Sequence, residues 1–133
     1  MDCISNERKR ILVVEDDPDI CMVYKIVLED AGFECFPYSD SVKALQEFKP
    51  YLYDLILLDI KMPLLNGFDL CKRIMEVDKR LDVIFITAGE EYYEEFRKQS
   101  YHGLNNNNIK YIQKPVENEQ LVQIVNEALG LQV

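Results

Sequence analysis

The chain has 133 residues, 48% of them apolar, and its 24 acidic against 15 basic side chains leave a formal charge of -9. That length is one domain's worth and can bury a core without disulfide staples. The charge and the scatter of Lys and Arg argue against unaided nucleic-acid binding, and no apolar run approaches the ~18 residues of a membrane span. The opening "MDCISNERKR" has no apolar segment before its charges, so residues 1–9 read as a short leader and residues 10–130 as the folded core. "ILVV" (Ile11 to Val14) is a buried strand. Asp17 and Pro18 are an N-cap and first helical residue. A helix follows with Ile20, Val23, Tyr24, Val27, Leu28 and Ala31 inward, stopped by Gly32. "FECFPY" is a second strand, placed at a sheet edge by Pro37. "SDSVKALQEF" is a helix with Val42, Leu45 and Phe48 inward.

"DLILLD" is the third strand, and it runs into Asp59, an acid the sequence leaves unshielded. A turn through Pro63, Asn66 and Gly67 leads to a helix marked by Phe68, Cys71, Ile74 and Met75. "DVIFIT" is the fourth strand, "EEYYEEFRKQS" a fourth helix and "KYIQK" a fifth strand. "ENEQLVQIVNEALG" is the last helix, with Leu121, Ile124, Val125 and Ala128 inward. Five strands alternating with helices predict an α/β domain with an open, doubly wound parallel sheet, helices covering both faces. The cysteines Cys3, Cys21, Cys35 and Cys71 and the single His102 have neither zinc-site nor redox-pair spacing, so reduced thiols and a cytoplasmic location are expected.

Such a sheet carries its site at the carboxyl ends of the strands. Those ends hold Glu15 and Asp16, then Asp59, Thr87 and Lys114. Singly, each has a plain structural reading as a helix cap, a turn residue or a solvated cation. Together they are three carboxylates, a hydroxyl and an ammonium on one edge. Two carboxylates ~4 Å apart repel by about 4 kcal/mol at an effective dielectric near 20, so three call for a cation. Oxygen-only donors favour a hard divalent ion, Mg²⁺ with Mn²⁺ as a substitute. A carboxylate beside it can attack phosphorus and form an aspartyl phosphate. Lys114 and Thr87 would then meet the phosphoryl oxygens.

These residues resemble the receiver domain of two-component response regulators, of the stand-alone single-domain type. The resemblance runs from about Lys9 to Leu129. It is carried by Glu15-Asp16 after "ILVV", "LLDIKMPLLNG" around Asp59, "FITA" with Thr87, and "YIQKP" with Lys114. It implies a flavodoxin-like sheet of strand order 2-1-3-4-5, an order the family itself exemplifies. It further implies Asp59 as phosphoacceptor, Asp16 as a direct metal ligand, Glu15 acting largely through water, and the Lys61 backbone carbonyl as third protein ligand. Thr87 and Lys114 would sense the phosphoryl group, and Tyr111 would be the aromatic switch that turns inward with Thr87. Phosphate would come from a histidine kinase or a histidine phosphotransfer protein. With the sequence ending just after the last helix, output is expected to pass through protein contacts, unless the chain is an excised fragment of a longer regulator. The fourth-helix face with Tyr92, Tyr93 and Phe96, beside Asn105 to Asn108, is the expected output surface.

Two other readings differ in class. An aspartyl-phosphate hydrolase of the haloacid-dehalogenase type needs a second Asp two positions after the nucleophile, where this chain has Lys61. A receiver-like interaction module that is never phosphorylated usually lacks one of the five site residues, and here all five are present. An enzyme acting on an external substrate is therefore not expected.

Overall fold

The computed structural model describes residues 8–88 and 109–131. Five strands, β1 (Arg10–Val14), β2 (Glu34–Tyr38), β3 (Leu55–Asp59), β4 (Asp82–Thr87) and β5 (Ile109–Gln113), form one sheet in the order β2-β1-β3-β4-β5. Every neighbouring pair is parallel. The described helices are α1 (Pro18–Asp30), α2 (Ser41–Glu47), α3 (Gly67–Val77) and α4 (Asn118–Ala128). The doubly wound flavodoxin-like order is the expected one. The helix expected over "EEYYEEFRKQS" lies outside the described residues. No helix among the described residues is long and apolar enough to cross a membrane.

The apolar strand runs follow from burial on both faces. Alternate residues point to opposite sides. Ile11, Val13, Leu55, Leu57, Ile84 and Ile86 meet Cys21, Tyr24 and Leu28 of α1 and Leu121 and Val125 of α4. Leu12, Val14, Ile56, Leu58, Val83 and Phe85 meet Ala44 of α2 and Leu70, Cys71, Ile74 and Met75 of α3. Each such aliphatic side chain, once buried, contributes roughly 1.5–3 kcal/mol.

β2 is an edge strand. The Glu34 amide donates to the Lys9 carbonyl, and the Tyr38 carbonyl accepts from the Glu15 amide. Those even-numbered residues face β1, so Cys35 and Pro37 turn their backbones to the free edge. Pro37 removes a donor there, which blunts the edge against further pairing.

The helix starts follow local chemistry. The Asp17 carboxylate accepts from the Asp19 and Ile20 amides at 2.9 and 3.3 Å, with Pro18 in the first turn. Asp40 caps α2 and Asn66 caps α3 in the same way. Gly32, at φ 100°, lets the chain leave α1 in a left-handed turn.

Two residues expected inward on α1 are not. Val23 is 47% exposed, and Ala31 is exposed as the C-cap residue. The stripe that meets the sheet is Cys21, Tyr24 and Leu28, spaced by three and four. Val23 sits about 100° from Tyr24 around the helix and joins Met22 and Ile26 at the surface. On α2, Ala44 is the fully buried residue, while Leu45 and Phe48 pack at the rim of the core.

Candidate phosphoryl and metal site

β1 stands where the strand order reverses, with β2 on one side and β3 on the other. Crossovers from its two neighbours leave on opposite faces, which opens a crevice at its carboxyl end. Glu15 and Asp16 leave β1 at that point. Asp59 closes β3 beside them, and Thr87 closes β4. The β4–β5 pairing continues past Thr87, whose carbonyl accepts the Lys114 amide at 2.7 Å. That bond places Lys114 at the same edge. The Lys114–Pro115 peptide bond is cis.

Glu15, Asp16 and Asp59 each bring a carboxylate oxygen within 4.8 Å of the other two. The Lys114 ammonium lies 2.8 Å from Glu15 Oε1 and 3.9 Å from Asp59 Oδ1. Glu15 Oε2 accepts the Asp17 amide at 3.1 Å. Thr87 is buried beside this group. Asp16 is exposed, so the cluster opens to solvent through it.

The expectation of an unshielded Asp59 is corrected. Its residue is only 7% exposed. It forms the floor of the crevice, walled by Glu15 and Lys114, and is approached past Asp16. Burial pushes the Asp59 carboxyl up to about 7. The Glu15 charge adds to that shift, Lys114 opposes it, and hydrogen bonds to Glu15 and Asp16 favour the protonated form. For Lys114, burial works against the charge, but the Glu15 hydrogen bond and the Asp59 and Glu15 charges outweigh it and raise its pKa. One ammonium thus faces three carboxylates. Oxygen-only donors, one of them exposed and short of positive charge, fit a hard divalent cation.

The loop after β3 supports the site in a way the sequence did not reveal. Gly67 donates its amide to the Ile60 carbonyl at 2.8 Å. A Cβ on Gly67 would lie 2.3 Å from the Asp59 carbonyl oxygen and 2.9 Å from Ile60 Cα. Both neighbours are backbone and cannot swing aside. Gly67→Ala is therefore expected to destabilise the protein by about 1–3 kcal/mol. Urea unfolding with an unchanged m-value checks this.

Tyr24 is buried in the core, as its helical spacing predicts. Its phenol also lies in the field of the site. Burial raises its pKa, Lys114 lowers it, and Glu15 and Asp59 raise it further. Nothing in the sequence separates such a tyrosine from an ordinary core aromatic. Tyr111 is half-buried beside its register partner Phe85, with ring centroids 6.3 Å apart. It lies on the face covered by α2 and α3, away from the carboxylates. Lys61 has an exposed side chain on the loop after Asp59. Tyr92, Tyr93, Phe96, the Asn105 to Asn108 segment, Cys3 and His102 lie outside the described residues. Cys21, Cys35 and Cys71 are buried free thiols, and burial pushes those of Cys35 and Cys71 up to about 12.

Similarity to known proteins agrees with this geometry. The response regulator receiver domain pattern matches residues 11–126. The DNA-binding response regulator MtrA of Mycolicibacterium smegmatis is 33% identical over 122 residues, which are 92% of this chain and 51% of that protein. The transcriptional regulatory protein DltR of Streptococcus agalactiae is 34% identical over 113 residues, 85% of this chain and 48% of that one. The chain thus spans about half the length of these relatives. A response regulator receiver domain from Clostridium thermocellum superposes with a TM-score of 0.77 at 26% identity, covering 92% of this chain and 94% of the other. The chain belongs to the response regulator receiver domain family of two-component systems.

Proposed function

We propose that the chain, read as one receiver domain over residues 1–133, is a phosphoacceptor switch with Asp59 as the acceptor. The observation that carries this reading is the meeting of Glu15, Asp16, Asp59, Thr87 and Lys114 at one strand-end crevice. A histidine kinase or histidine phosphotransfer protein supplies the phosphoryl group. An Asp59 oxygen attacks phosphorus, a P–O bond forms and the donor's P–N bond breaks. The electron pair stays on the imidazole nitrogen, which takes up a proton. Lys114 balances charge on the phosphoryl oxygens, and the Thr87 hydroxyl donates to one of them. Asp16 and Asp59, the Lys61 carbonyl, and Glu15 through water would hold Mg²⁺ or Mn²⁺. Its chemistry there is charge neutralisation at the phosphoryl oxygens.

The catalysis is confined to the domain's own phosphorylation and dephosphorylation. Movement of Thr87 toward the phosphoryl group is coupled to the Tyr111 ring and alters the β5 side of the domain, where an output protein binds. The charge of -9 and the scattered basic residues support an output without direct nucleic-acid contact. The free thiols of Cys21, Cys35 and Cys71 support a cytoplasmic location.

The test is incubation with Mg²⁺ and acetyl phosphate, read by intact mass. One phosphoryl adduct is expected. Asp16→Asn, or chelation of the metal, should lower the labelled fraction by about tenfold or more, as loss of a metal's support does elsewhere. Labelling that ignores both would overturn the metal assignment.

A further inference from the structure

We propose that the crevice between β2 and α2 binds a small organic cation, its alkylated ammonium group held among the rings of Phe36, Tyr38, Phe48 and Tyr53 and paired with the Glu47 carboxylate. The site is independent of the phosphoacceptor reading, since it uses neither the strand-end acids nor Lys114.

The crevice follows from the way the sheet ends. β2 is the edge strand, so no further strand flanks it. α2 has 7 residues, which makes it about 10 Å long. β2 has 5 residues and is about 16 Å long, so the helix is shorter than the strand it lies against. Phe36, Tyr38 and Phe48 are left half-buried at the rim of the core, packed round the buried Tyr53. They border a crevice of about 480 Å³, with Glu47 and Lys49 at its lip. That volume is of the size that holds small ligands.

The lining selects the ligand. The Phe36 and Tyr53 ring centroids are 5.3 Å apart at 77°, and those of Phe48 and Tyr53 are 5.5 Å apart at 34°. Rings at such different angles cannot all stack on one flat guest. They can border a rounded one, and a positive charge is drawn to their electron-rich faces. Glu47 adds a full negative charge beside them. Its Oε1 accepts the Tyr38 hydroxyl at 2.7 Å, and that bond pushes the phenol up to about 12, so the hydroxyl keeps its proton and stays the donor. The carboxylate is thereby fixed against the aromatic group, with Oε2 turned to no side chain among the described residues. An anion would be repelled there, and a neutral guest would gain nothing from the charge. A bare ammonium is strongly hydrated, whereas alkyl groups on the nitrogen replace that water and suit ring faces. Lys49 opposes a cation, but it is exposed and its arm can extend into solvent. The chain's charge of -9 draws cations to the surface as a whole.

The experiment is an NMR titration of the full chain with choline chloride at constant ionic strength, run beside choline's uncharged isostere, in which carbon replaces the quaternary nitrogen. The amides of Phe36, Tyr38, Phe48 and Tyr53 should shift saturably with choline. The choline methyl protons should move upfield, as methyl groups over ring faces do. The isostere should bind about threefold to thirtyfold more weakly, the scale of a cation held by aromatic faces. Glu47→Gln keeps the length and the acceptor for Tyr38 and removes the charge. It should weaken choline about threefold to tenfold and leave the isostere unchanged. Phe48→Leu, which keeps an apolar side chain and removes a ring face, should also weaken choline, with circular dichroism unchanged. Lys49→Gln should tighten it. No saturable shift at the crevice, or equal binding of choline and its isostere, overturns the proposal. So does a Glu47→Gln variant that binds choline as tightly as the wild type. If Phe48→Leu does not fold, the wild-type comparison and Glu47→Gln, a change at an exposed position, decide.

Discussion

Asp59→Asn abolishes the adduct of about 80 Da that Mg²⁺ and acetyl phosphate give the wild type, a phosphoryl group being a discrete added mass. The expected effect is complete loss, because one atom does the chemistry. Asp59 is the carboxylate at the crevice floor, and Lys114 stands 3.9 Å from it. Glu15 cannot take its place, since both its oxygens are engaged by Lys114 and Asp17. Asp16 is exposed and lies at the crevice mouth, where it meets solvent before any phosphoryl group reaches Thr87. An amide at position 59 has nearly the same shape and no nucleophilic oxygen. The fold therefore survives, and circular dichroism should be unchanged. Undiminished labelling of Asp59→Asn would move the acceptor elsewhere and end the assignment.

Much of this architecture is legible in the sequence because the same physics writes both. A strand buried on two faces must be apolar throughout, so "ILVV" and "LILL" announce themselves, and the polar residue that follows marks the sheet edge. Asp17 with Pro18, and Gly32, punctuate α1 because few other residues cap a helix or leave it in a left-handed turn. The site was legible for the same reason, as its members are the first residues past those runs. What stayed hidden depends on distances between segments far apart in the chain. Gly67 reads as a turn residue, and its need for a bare Cα comes from the backbone of Asp59 and Ile60 packed against it. Val23 has the right spacing for the core, but the contact stripe is narrower than the apolar face. The depth of Asp59 follows from its neighbours' arms, which composition does not encode.

The metal-free protein should lose stability as pH rises from about 4 to about 7, and Asp59 should be the cause. Its carboxyl is pushed up to about 7 from an ordinary value of 3.8, first by burial and then by the Glu15 charge. The unfolded chain releases this proton near 3.8, while the folded protein keeps it until about pH 7. Between those values the folded state binds more protons than the unfolded one. Stability then falls with rising pH. The contribution is fully present below pH 3.8 and gone above about pH 7. Its size is on the order of 2–4 kcal/mol, since each tenfold change in proton affinity corresponds to about 1.4 kcal/mol. Other groups titrate over the same range, so the comparison that isolates Asp59 is wild type against Asp59→Asn in chelator. The two should be close in stability near pH 4. At pH 8 the variant should be the more stable by that amount, because it has no charge to bury beside Glu15. Added Mg²⁺ should narrow the gap at pH 8, as a cation bound only by the folded wild type stabilises it by mass action. Parallel stability curves for the two proteins from pH 4 to pH 8 would show that the carboxylates do not strain one another, and the electrostatic case for a cation at this site would fall with them.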